Sequence, residues 1–334
     1  MESLAASIET AAADADFSGV VRVDRAGRVE FAGAFGFADR AHAIANTLDT
    51  RFGIASGSKG LTALAVMSLV EDGALSLGTT ARSVLGDDLP LIDESVTVEH
   101  LLAHRSGIGD YLDEDAGHEI TDHVMPVPVH ELATTEQYLA VLGGHPTAFA
   151  PGERFVYCNG GYVVLALIAE RTSGVPFHEL VRARVCEPAR MVHTEFLRSD
   201  ELPGDAALGY LTVDGPRTNV LHLPVGGSGD GGIYSTAADL SAFWSAFFDG
   251  RIVPSDRVGE MVRPRSEVPE ESKRYGLGFW LHGSSEAVWL EGYDAGVSFD
   301  SQHDPSSGVT YTVISNTSEG AWPISKLLYE RLGT

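Results

Sequence analysis

Apolar residues recur with helical or strand spacing along most of this chain, and the pattern changes twice between its two ends. Residues 2–13, rich in alanine, glutamate and leucine, predict a helix. The two apolar stretches that follow, 19–23 and 29–35, are separated by a polar turn that ends in Gly27. The first part of the chain therefore predicts a helix followed by a β-hairpin.

The middle part of the chain favours helices. The run from Lys59 to Glu71 is apolar on nearly all sides and is followed by Gly73. A helix that is apolar all round is a buried one, so we expect this segment at the centre of the fold. Strand patterns are nearly absent here, and the other helices are predicted at 98–104, 135–142, 162–171 and 177–186.

Strand patterns return after residue 226, behind a glycine-rich turn. Helices are predicted at 237–248 and 256–262, and a closing helix at 322–332. Between them, strands are predicted at 275–281, 287–290 and 310–315. The strand patterns therefore cluster at the two ends of the chain, with a helical block between them.

This distribution predicts an α+β fold, in which one antiparallel sheet is built from both chain ends and flanked by the terminal helices. An all-α lobe is inserted into it. We expect a single domain over 1–334, with a sheet lobe from 1–55 and 225–334 and a helical lobe from 56–224. The substrate would lie in the cleft between the lobes. The acidic, irregular segment 110–131 is the expected lid, and its histidines are expected to be solvated.

Charge and cysteine content exclude several functions. The chain has 47 acidic and 23 basic residues, a net charge of −24 that would repel nucleic acid and anionic membranes. Two cysteines cannot form a disulfide framework or a thiolate metal site. The chain has no leader-like start and no apolar run of about 18 residues, so we expect it to be cytoplasmic; an exported chain without its leader would have the same pattern.

Lysine is rare in this chain, and its positions are therefore informative. Only three of the 23 basic residues are lysines, which are Lys59, Lys273 and Lys326. Genomic base composition is the simplest explanation of this bias. Lys59 is of interest because it begins the apolar helix.

The first candidate for chemistry is Ser56, three residues before Lys59. Residues i and i+3 share a helix face, so the lysine side chain can reach the serine hydroxyl. A buried amine that has lost its charge can take the serine proton, and a helix N-terminus favours the developing negative charge. The alternative is a capping serine beside a solvent-reaching lysine, and about one chain in four of this composition contains Ser-x-x-Lys by chance. Burying a lysine at the N-terminus of an apolar helix costs free energy, and this favours the catalytic interpretation.

The second candidate is the segment Tyr157-Cys158-Asn159, just before a predicted helix. A phenol beside an ammonium can pass a proton to a leaving group, and an amide can donate and accept hydrogen bonds at one place. A turn tyrosine followed by a helix-capping asparagine is the structural alternative. The pattern alone is expected in about one chain in eight by chance.

These two motifs belong to a longer ordered set. The set reads SGSK from Ser56, TVEHLLAHRSG from Thr97, PG at 151–152, YCN from Tyr157, GGIYSTAADL from Gly231 and YGLGF from Tyr275. In this order it closely resembles the serine β-lactamase-like family over about 18–332. Within that family it is similar to class C β-lactamases, D-alanyl-D-alanine carboxypeptidases, D-aminopeptidases and related esterases.

The resemblance implies an acyl-enzyme mechanism. In it Ser56 is the nucleophile, Lys59 and Tyr157 share the acid and base roles, and Asn159 orients the substrate or Lys59. The family's oxyanion hole consists of two backbone N–H groups, which correspond here to those of Ser56 and Tyr293.

One motif departs from the family pattern. Where the family usually has Lys-Thr-Gly or His-x-Gly, this chain has Leu290-Glu291-Gly292. The cation that meets a substrate carboxylate is therefore missing, and Glu291 would repel such a group with no compensating charge evident nearby. We expect neutral esters or amine-bearing amides rather than penicillins, with Glu291 able to hold a substrate ammonium. Esterases of the family also depart from the usual residues at this motif.

Other signals favour structural roles. His100 and His104 are four residues apart but lack carboxylate partners at metal-site spacing, so we expect a structural pairing and no metal. The G-x-G-x-x-G pattern at 227–232 lies outside a βαβ unit and predicts a turn near the cleft rather than a dinucleotide site, so no cofactor is expected.

Taken together, the sequence predicts a serine hydrolase that acts on a small ester or amide, without nucleic acid or membrane partners; it leaves the oligomeric state open. A D-alanyl-D-alanine carboxypeptidase or β-lactamase is the first alternative. A non-catalytic, ligand-binding member of the fold is the second.

Overall fold

Most helices of the structure lie close to the predicted segments, and the short helices at 81–85 and 187–189 were not predicted. The computed structural model describes residues 3–112 and 120–333. The helices, in chain order, are α1 (Leu4–Asp14), α2 (Ser58–Glu71), α3 (Ala81–Leu85), α4 (Val98–Leu102), α5 (Leu139–Leu142), α6 (Asn159–Ser173), α7 (Phe177–Val181), α8 (Glu187–Ala189), α9 (Ala237–Phe248), α10 (Ser255–Met261) and α11 (Ala321–Leu332). No helix in the described ranges is both long and apolar enough to span a bilayer.

The strands form one large sheet and two small ones. In chain order they are β1 (Gly19–Arg25), β2 (Arg28–Phe35), β3 (Phe37–Asp39), β4 (Ile44–Ala45), β5 (Phe52–Gly53), β6 (Glu195–Phe196), β7 (Ile233–Ser235), β8 (Ser266–Val268), β9 (Lys273–Tyr275), β10 (Trp280–His282), β11 (Val288–Asp294), β12 (Val297–Asp304) and β13 (Val309–Ser315). The large sheet has the order β2-β1-β13-β12-β11-β10-β9-β8. Every pairing in it is antiparallel. The predicted α+β fold with a sheet made from both chain ends is confirmed.

Helices cover both faces of this sheet. Side chains of a strand alternate between its faces, so Val21 packs outward against α1 and α11 while Val20 packs inward. The inner face meets α2, whose residues 58–69 are all buried, as the apolar pattern predicts. Together with α6 and α9, this helix forms the central core. Ser56 therefore lies between the sheet and the helical layer.

Seven strands, β3 to β8 and β12, were not predicted, and others were predicted with the wrong extent. β12 was missed because its sequence is polar although its residues are mostly buried; Ser301, for example, accepts a hydrogen bond from Trp244 Nε1 at 2.9 Å. The strand predicted at 275–281 is two strands, β9 and β10, because Gly278 turns the chain with φ of +90°. The small sheet β5-β7-β6 places one short strand within the block predicted to be all helical.

Candidate active site

The nucleophile candidate Ser56 lies in a single 3-10 turn, Ala55–Gly57, between β5 and α2. Ala55 has φ of +43°, a left-handed conformation that is uncommon for a residue with a Cβ. Such strained residues cluster at functional sites. The turn leaves Ser56 partly exposed, whereas Gly57 and Ser58 are buried.

Lys59 is buried, and its Nζ donates hydrogen bonds to groups from three different segments of the chain. Its side chain extends to Ser56 Oγ at 2.8 Å, as the i, i+3 spacing predicts. Nζ also donates to Asn159 Oδ1 at 2.8 Å and to the carbonyl oxygen of Asp230 at 2.9 Å. The residue is 2% exposed, so this cation is nearly shielded from water.

This arrangement suits both protonation states of Lys59. An ammonium has three N–H groups, which can donate to Ser56, Asn159 and the Asp230 carbonyl. A neutral amine would keep the contacts to Asn159 and to the Asp230 carbonyl and would then point its lone pair at Ser56 Oγ. The same contacts can therefore hold a charged lysine at rest and an amine that accepts the serine proton.

Tyr157 completes this group from the segment before α6. Its ring lies 4.9 Å from Lys59 Nζ and packs between two other rings, with centroid distances of 4.3 Å to His104 and 6.0 Å to Trp280. Burial, together with the charge of Lys59, holds the pKa of His104 well below its usual range. This imidazole is therefore neutral, and its Nδ1 accepts a hydrogen bond from the Cys158 N–H at 3.0 Å. It fixes the backbone between Tyr157 and Asn159.

The two histidines four residues apart do not form a pair around a common point. His100 Nδ1 accepts from the backbone N–H of Thr97 and caps α4, while His104 turns toward Cys158. Within the described ranges, no group of three or more histidine, cysteine, aspartate or glutamate side chains is placed to hold a metal ion.

The short segment 110–112, at the start of the predicted lid, binds two of the residues that contact Lys59, namely Asn159 and Asp230, and the sequence analysis did not predict this role. The Asp110 carboxylate accepts from the backbone N–H groups of Asn159 at 2.6 Å and Gly160 at 2.8 Å, which caps α6. The Leu112 carbonyl accepts from Asn159 Nδ2 at 3.1 Å. Tyr111 donates its hydroxyl to the carboxylate of Asp230, whose backbone carbonyl binds Lys59. No local signal could have found these contacts, because they join segments 47 to 119 residues apart.

The raised pKa of Asp110 predicts that the site is sensitive to pH. Burial raises its pKa from 3.8 to about 6, against the opposing effect of its backbone hydrogen bonds. Below pH 6 the protonated carboxyl loses one acceptor, so one N–H at the start of α6 loses its partner. We expect kcat/KM of the wild type to fall as the pH drops through 6. Asp110→Asn is expected to lower activity several-fold at pH 7 and to remove this dependence, measured with a neutral aryl ester.

The raised pKa of Asp110 also determines whether its contribution to stability rises or falls with pH. A pKa raised on folding means that the folded protein binds more protons than the unfolded chain between about pH 4 and 6. The contribution of Asp110 to stability is therefore greatest below pH 4 and declines as the pH rises to 6. Measured by urea unfolding, the free energy of unfolding of Asp110→Asn should therefore fall less between pH 4 and 6 than that of the wild type. The exposed Asp249→Asn is the control, and equal slopes in all three proteins would contradict the assignment.

Strand β11 carries the predicted third motif and lies against the Ser56 turn. β10 pairs with β11 only at Val288 and Trp289, so beyond that point this edge of β11 faces residues 54–57. A Cβ on Gly292 would lie 2.2 Å from the Ile54 carbonyl oxygen and 3.1 Å from the Gly57 nitrogen. Glycine is required for this approach. It brings the next residue, Tyr293, to the edge of the cavity that also contains Ser56.

Glu291 has a partner that the sequence analysis did not foresee. Lys273 Nζ, from β9, lies 2.9 Å from Glu291 Oε2 and 3.0 Å from Glu271 Oε2. The expectation that no charge compensates Glu291 is therefore wrong, because strand pairing brings together residues 18 positions apart. Leu290, at the position of the family's usual cation, is buried against Gly60 of α2.

Two compartments meet at Ser56. One is a cavity of roughly 950 Å³, including its mouth, with mostly apolar walls and Asn159, Asp230 and Asp294 among its polar groups. The predicted lid segment contributes Tyr111, Leu112, Ile120, His123 and Met125 to its walls. His123 is thus partly buried rather than solvated, His130 is exposed, and His118 lies outside the described residues.

The second compartment extends from Ser56 along the other side of Tyr157. Trp280 and Glu291 form part of its walls, and Glu270 and Glu271 lie at its rim. The structure thus brings Ser56, Lys59 and Asn159 into direct contact, with the Tyr157 ring beside Lys59. It places Glu291, Gly292 and Tyr293 on the cleft wall with Ser56.

Comparisons with known proteins show the family of the chain. The chain matches the family model described as Beta-lactamase over residues 4–331. The crystal structure of a penicillin binding protein from Bacillus halodurans is 35% identical, with a TM-score of 0.90 over 97% of this chain and 99% of that one.

Two curated relatives are longer than this chain. The putative penicillin-binding protein PbpX of Bacillus subtilis is 28% identical over 269 residues, which are 79% of this chain and 62% of that protein. A D-aminopeptidase of Brucella anthropi is 31% identical over 274 residues, 79% of this chain and 49% of that protein. The chain thus spans about half to two thirds of the length of these relatives. With the motif order, the fold and the family match in agreement, the chain belongs to the β-lactamase family.

Proposed function

We propose that this protein is a serine hydrolase that forms a covalent acyl-Ser56 intermediate on a small ester or amide. The observation that carries the proposal is the contact of 2.8 Å between Lys59 Nζ and Ser56 Oγ, with Nζ held from behind by Asn159 and the Asp230 carbonyl. Lys59 is buried, whereas Ser56 opens into a cavity. A nucleophile beside a positioned base is the arrangement that acyl transfer requires.

In acylation, the Ser56 hydroxyl proton passes to the Lys59 amine or to Tyr157 as Oγ attacks the substrate carbonyl carbon. The carbonyl oxygen becomes an oxyanion, which the backbone N–H groups of Ser56 and Tyr293 would stabilise. Collapse of this intermediate breaks the bond to the leaving group, which takes the proton from Lys59 or Tyr157. A water molecule, activated by the same pair, then releases the acid and restores Ser56. We keep the predicted division into a sheet lobe and a helical lobe, 56–224, as part of this proposal. Ser56 is then the first residue of the helical lobe and faces the sheet lobe.

The charges at the second compartment set the substrate class. Glu270, Glu271 and Glu291 line it, and Lys273 offsets only one of these three charges. Such a rim repels a substrate carboxylate and attracts a cation. The mostly apolar first cavity suits an acyl group. We therefore assign neutral esters and amine-bearing esters or amides as substrates.

Glu291→Gln tests this charge argument. Wild type is expected to favour an ester with a free amine over its N-acetylated form, and the variant is expected to reduce that preference about threefold, because a partly exposed carboxylate contributes under 1 kcal/mol. The readout is the ratio of kcat/KM for the two esters. Glu267→Gln, an exposed change on β8, should leave the ratio unchanged. Equal ratios in wild type and Glu291→Gln would remove Glu291 from substrate selection.

A β-lactamase or D-alanyl-D-alanine carboxypeptidase activity is the second candidate. The similarity to proteins named penicillin-binding favours it. Glu291 counts against it, because a carboxylate-bearing substrate would meet this acidic side chain in the cleft. Leu290, at the position where most family members have a cation, is buried and offers no positive charge. A binding member without catalysis has no reason to retain Ser56, Lys59, Tyr157 and Asn159 together.

A panel of three chromogenic substrates separates these candidates. The proposal predicts turnover of p-nitrophenyl butyrate, slower turnover of D-alanine p-nitroanilide, and little or none of the cephalosporin nitrocefin. Nitrocefin as the best substrate would favour the second candidate. Turnover of none of the three would contradict a hydrolase of this specificity.

A further inference from the structure

Asp230 contacts Lys59 through its backbone, although its side chain is an acid. Its carbonyl oxygen accepts from Lys59 Nζ at 2.9 Å, a contact that a residue of any type could supply. The side chain adds a carboxylate to a residue that is only 8% exposed. Burying a carboxylate costs free energy unless its charge is compensated. A buried acid at this position therefore indicates a role for the charge itself.

The Tyr111 hydroxyl stabilises the charged form of this carboxylate. It donates a hydrogen bond to Asp230 Oδ2 from a segment 119 residues away. Burial raises the pKa of Asp230, while the charge of Lys59 and the hydrogen bond from Tyr111 act to lower it. The carboxylate is thus close enough to Lys59 for each of the two charges to stabilise the other.

Other titratable groups face Lys59 or Asp230 from the neighbouring segments. In the described part of the chain they include His104, Asp110, Tyr138, Tyr157, Cys158 and Tyr162. Burial lowers the pKa of His104 and raises the pKa of Tyr138 and of Tyr162, so these three groups are uncharged at neutral pH. The Asp110 carboxylate accepts from two backbone N–H groups at the start of α6. Asp230, whose own carbonyl binds Nζ, is therefore the better placed counter-charge for Lys59.

We propose that Asp230 is a positioning residue for Lys59, whose carboxylate stabilises the ammonium formed when Lys59 accepts the Ser56 proton, and that Tyr111 keeps this carboxylate charged. The inference rests on the proposed function, in which Lys59 is a proton acceptor. The proton moves from Ser56 Oγ to Lys59 Nζ as Oγ bonds to the substrate carbonyl carbon, and Asp230 gains no proton. A nearby carboxylate makes the amine a stronger base and also keeps it protonated to higher pH.

The titration of Lys59 tests this coupling without the use of catalysis. Selective ¹³C labelling of lysine gives three side-chain signals, because the chain has three lysines, and Lys59→Met identifies that of Lys59. In Asp230→Asn the midpoint of the Lys59 signal is expected to fall by about one pH unit or more, because the amide keeps the shape but not the charge. Lys273, which pairs with Glu271 and Glu291, should keep its midpoint. An unchanged Lys59 midpoint in Asp230→Asn would overturn the proposal.

Tyr111→Phe is a second, independent variant. Without the hydroxyl donor the Asp230 carboxyl stays protonated to higher pH, so the Lys59 midpoint should fall in the same direction but by less. The double variant Tyr111→Phe/Asp230→Asn should match Asp230→Asn, because Tyr111 acts through the carboxylate. Additive shifts in the double variant would contradict the role of Tyr111. If Asp230→Asn does not fold, an unchanged Lys59 midpoint in Tyr111→Phe would count against the proposal in the same way.

Asp304→Asn is the matched control for the loss of a buried carboxylate. Asp304 is 7% exposed and accepts from Ser306 Oγ at 2.7 Å. It lies seven residues along β12 from Val297, which lines the Ser56 cavity, a separation of roughly 23 Å along a strand. The Lys59 midpoint should therefore not change in Asp304→Asn. A shift as large as that in Asp230→Asn would contradict a specific effect of Asp230.

The pH profile of kcat/KM for p-nitrophenyl butyrate shows whether the coupling acts in hydrolysis. Asp110→Asn is the background, because Asp110 has its own expected pH dependence. Adding Asp230→Asn should move the acid limb to lower pH and lower the plateau several-fold, since the amine becomes a weaker base. An equal loss at every pH would assign Asp230 a structural role and overturn the proposal. A shifted Lys59 midpoint in a wild type that hydrolyses no ester would support the charge coupling and contradict the proposed function.

Discussion

Ser56→Ala is expected to abolish hydrolysis, with kcat/KM for an aryl ester falling by about 10⁴-fold or more, since loss of a nucleophile removes the covalent route. Its effect on folding is expected to be small. Ser56 lies partly exposed in a turn, and its hydroxyl contributes one hydrogen bond with Lys59, worth about 1 kcal/mol. The two measurements are ester hydrolysis and thermal unfolding, and the account predicts a large change in the first and little in the second.

Ser58→Ala is the matched control, two residues further along. Its hydroxyl is buried and accepts from the backbone N–H of Ile233 at 3.2 Å, away from the proposed chemistry. The expected pattern is the reverse, with about 1 kcal/mol lost in stability and activity within a few-fold of wild type. Hydrolysis by Ser56→Ala at the wild-type rate would exclude Ser56 as the nucleophile.

Lys59→Met is expected to lower kcat/KM by about 10³-fold, the size of effect typical of removing a general base. Methionine fills a similar volume but offers no proton acceptor of comparable strength and no charge. The same change should also alter His104. The charge of Lys59 helps to lower the pKa of His104, so in the variant that pKa is expected to rise while burial still keeps it below its usual value. NMR titration of the His104 imidazole measures this shift.

Lys59→Arg separates charge from proton transfer. Arginine keeps the positive charge near Ser56 but does not release its proton at ordinary pH. The account predicts that this variant is as inactive as Lys59→Met, while the pKa of His104 stays low. An active arginine variant would assign Lys59 an electrostatic role only and would leave the base role to Tyr157.

The helices and the chemical motif were largely predictable because their information is local. Ser56 and Lys59 meet through the i, i+3 geometry of a helix start, and the bounds of α9 follow from its capping threonine and apolar period. The family resemblance is confirmed by the match over 4–331. The roles of the individual site residues and the division into lobes stay predictions.

The remaining features depend on contacts that the sequence pattern does not contain. β12 buries serine, aspartate and glutamine side chains, so hydrophobic alternation could not reveal it. Lys273 reaches Glu291 from another strand of the sheet. Asp110 caps a helix 49 residues further along the chain. In each case, burial in the folded protein gives a polar residue a partner that its neighbours in sequence do not indicate.

Intact mass spectrometry after brief exposure to an activated short-chain aryl ester tests the central claim most directly. Wild type should gain the mass of one acyl group, Ser56→Ala should gain none, and a parallel exposure to a penicillin should leave no lasting adduct. A lasting penicilloyl adduct would contradict the assigned substrate class and favour a peptidase. No adduct on wild type, with no phenol released, would contradict acyl-enzyme catalysis and indicate a member of the fold that binds ligands without catalysis.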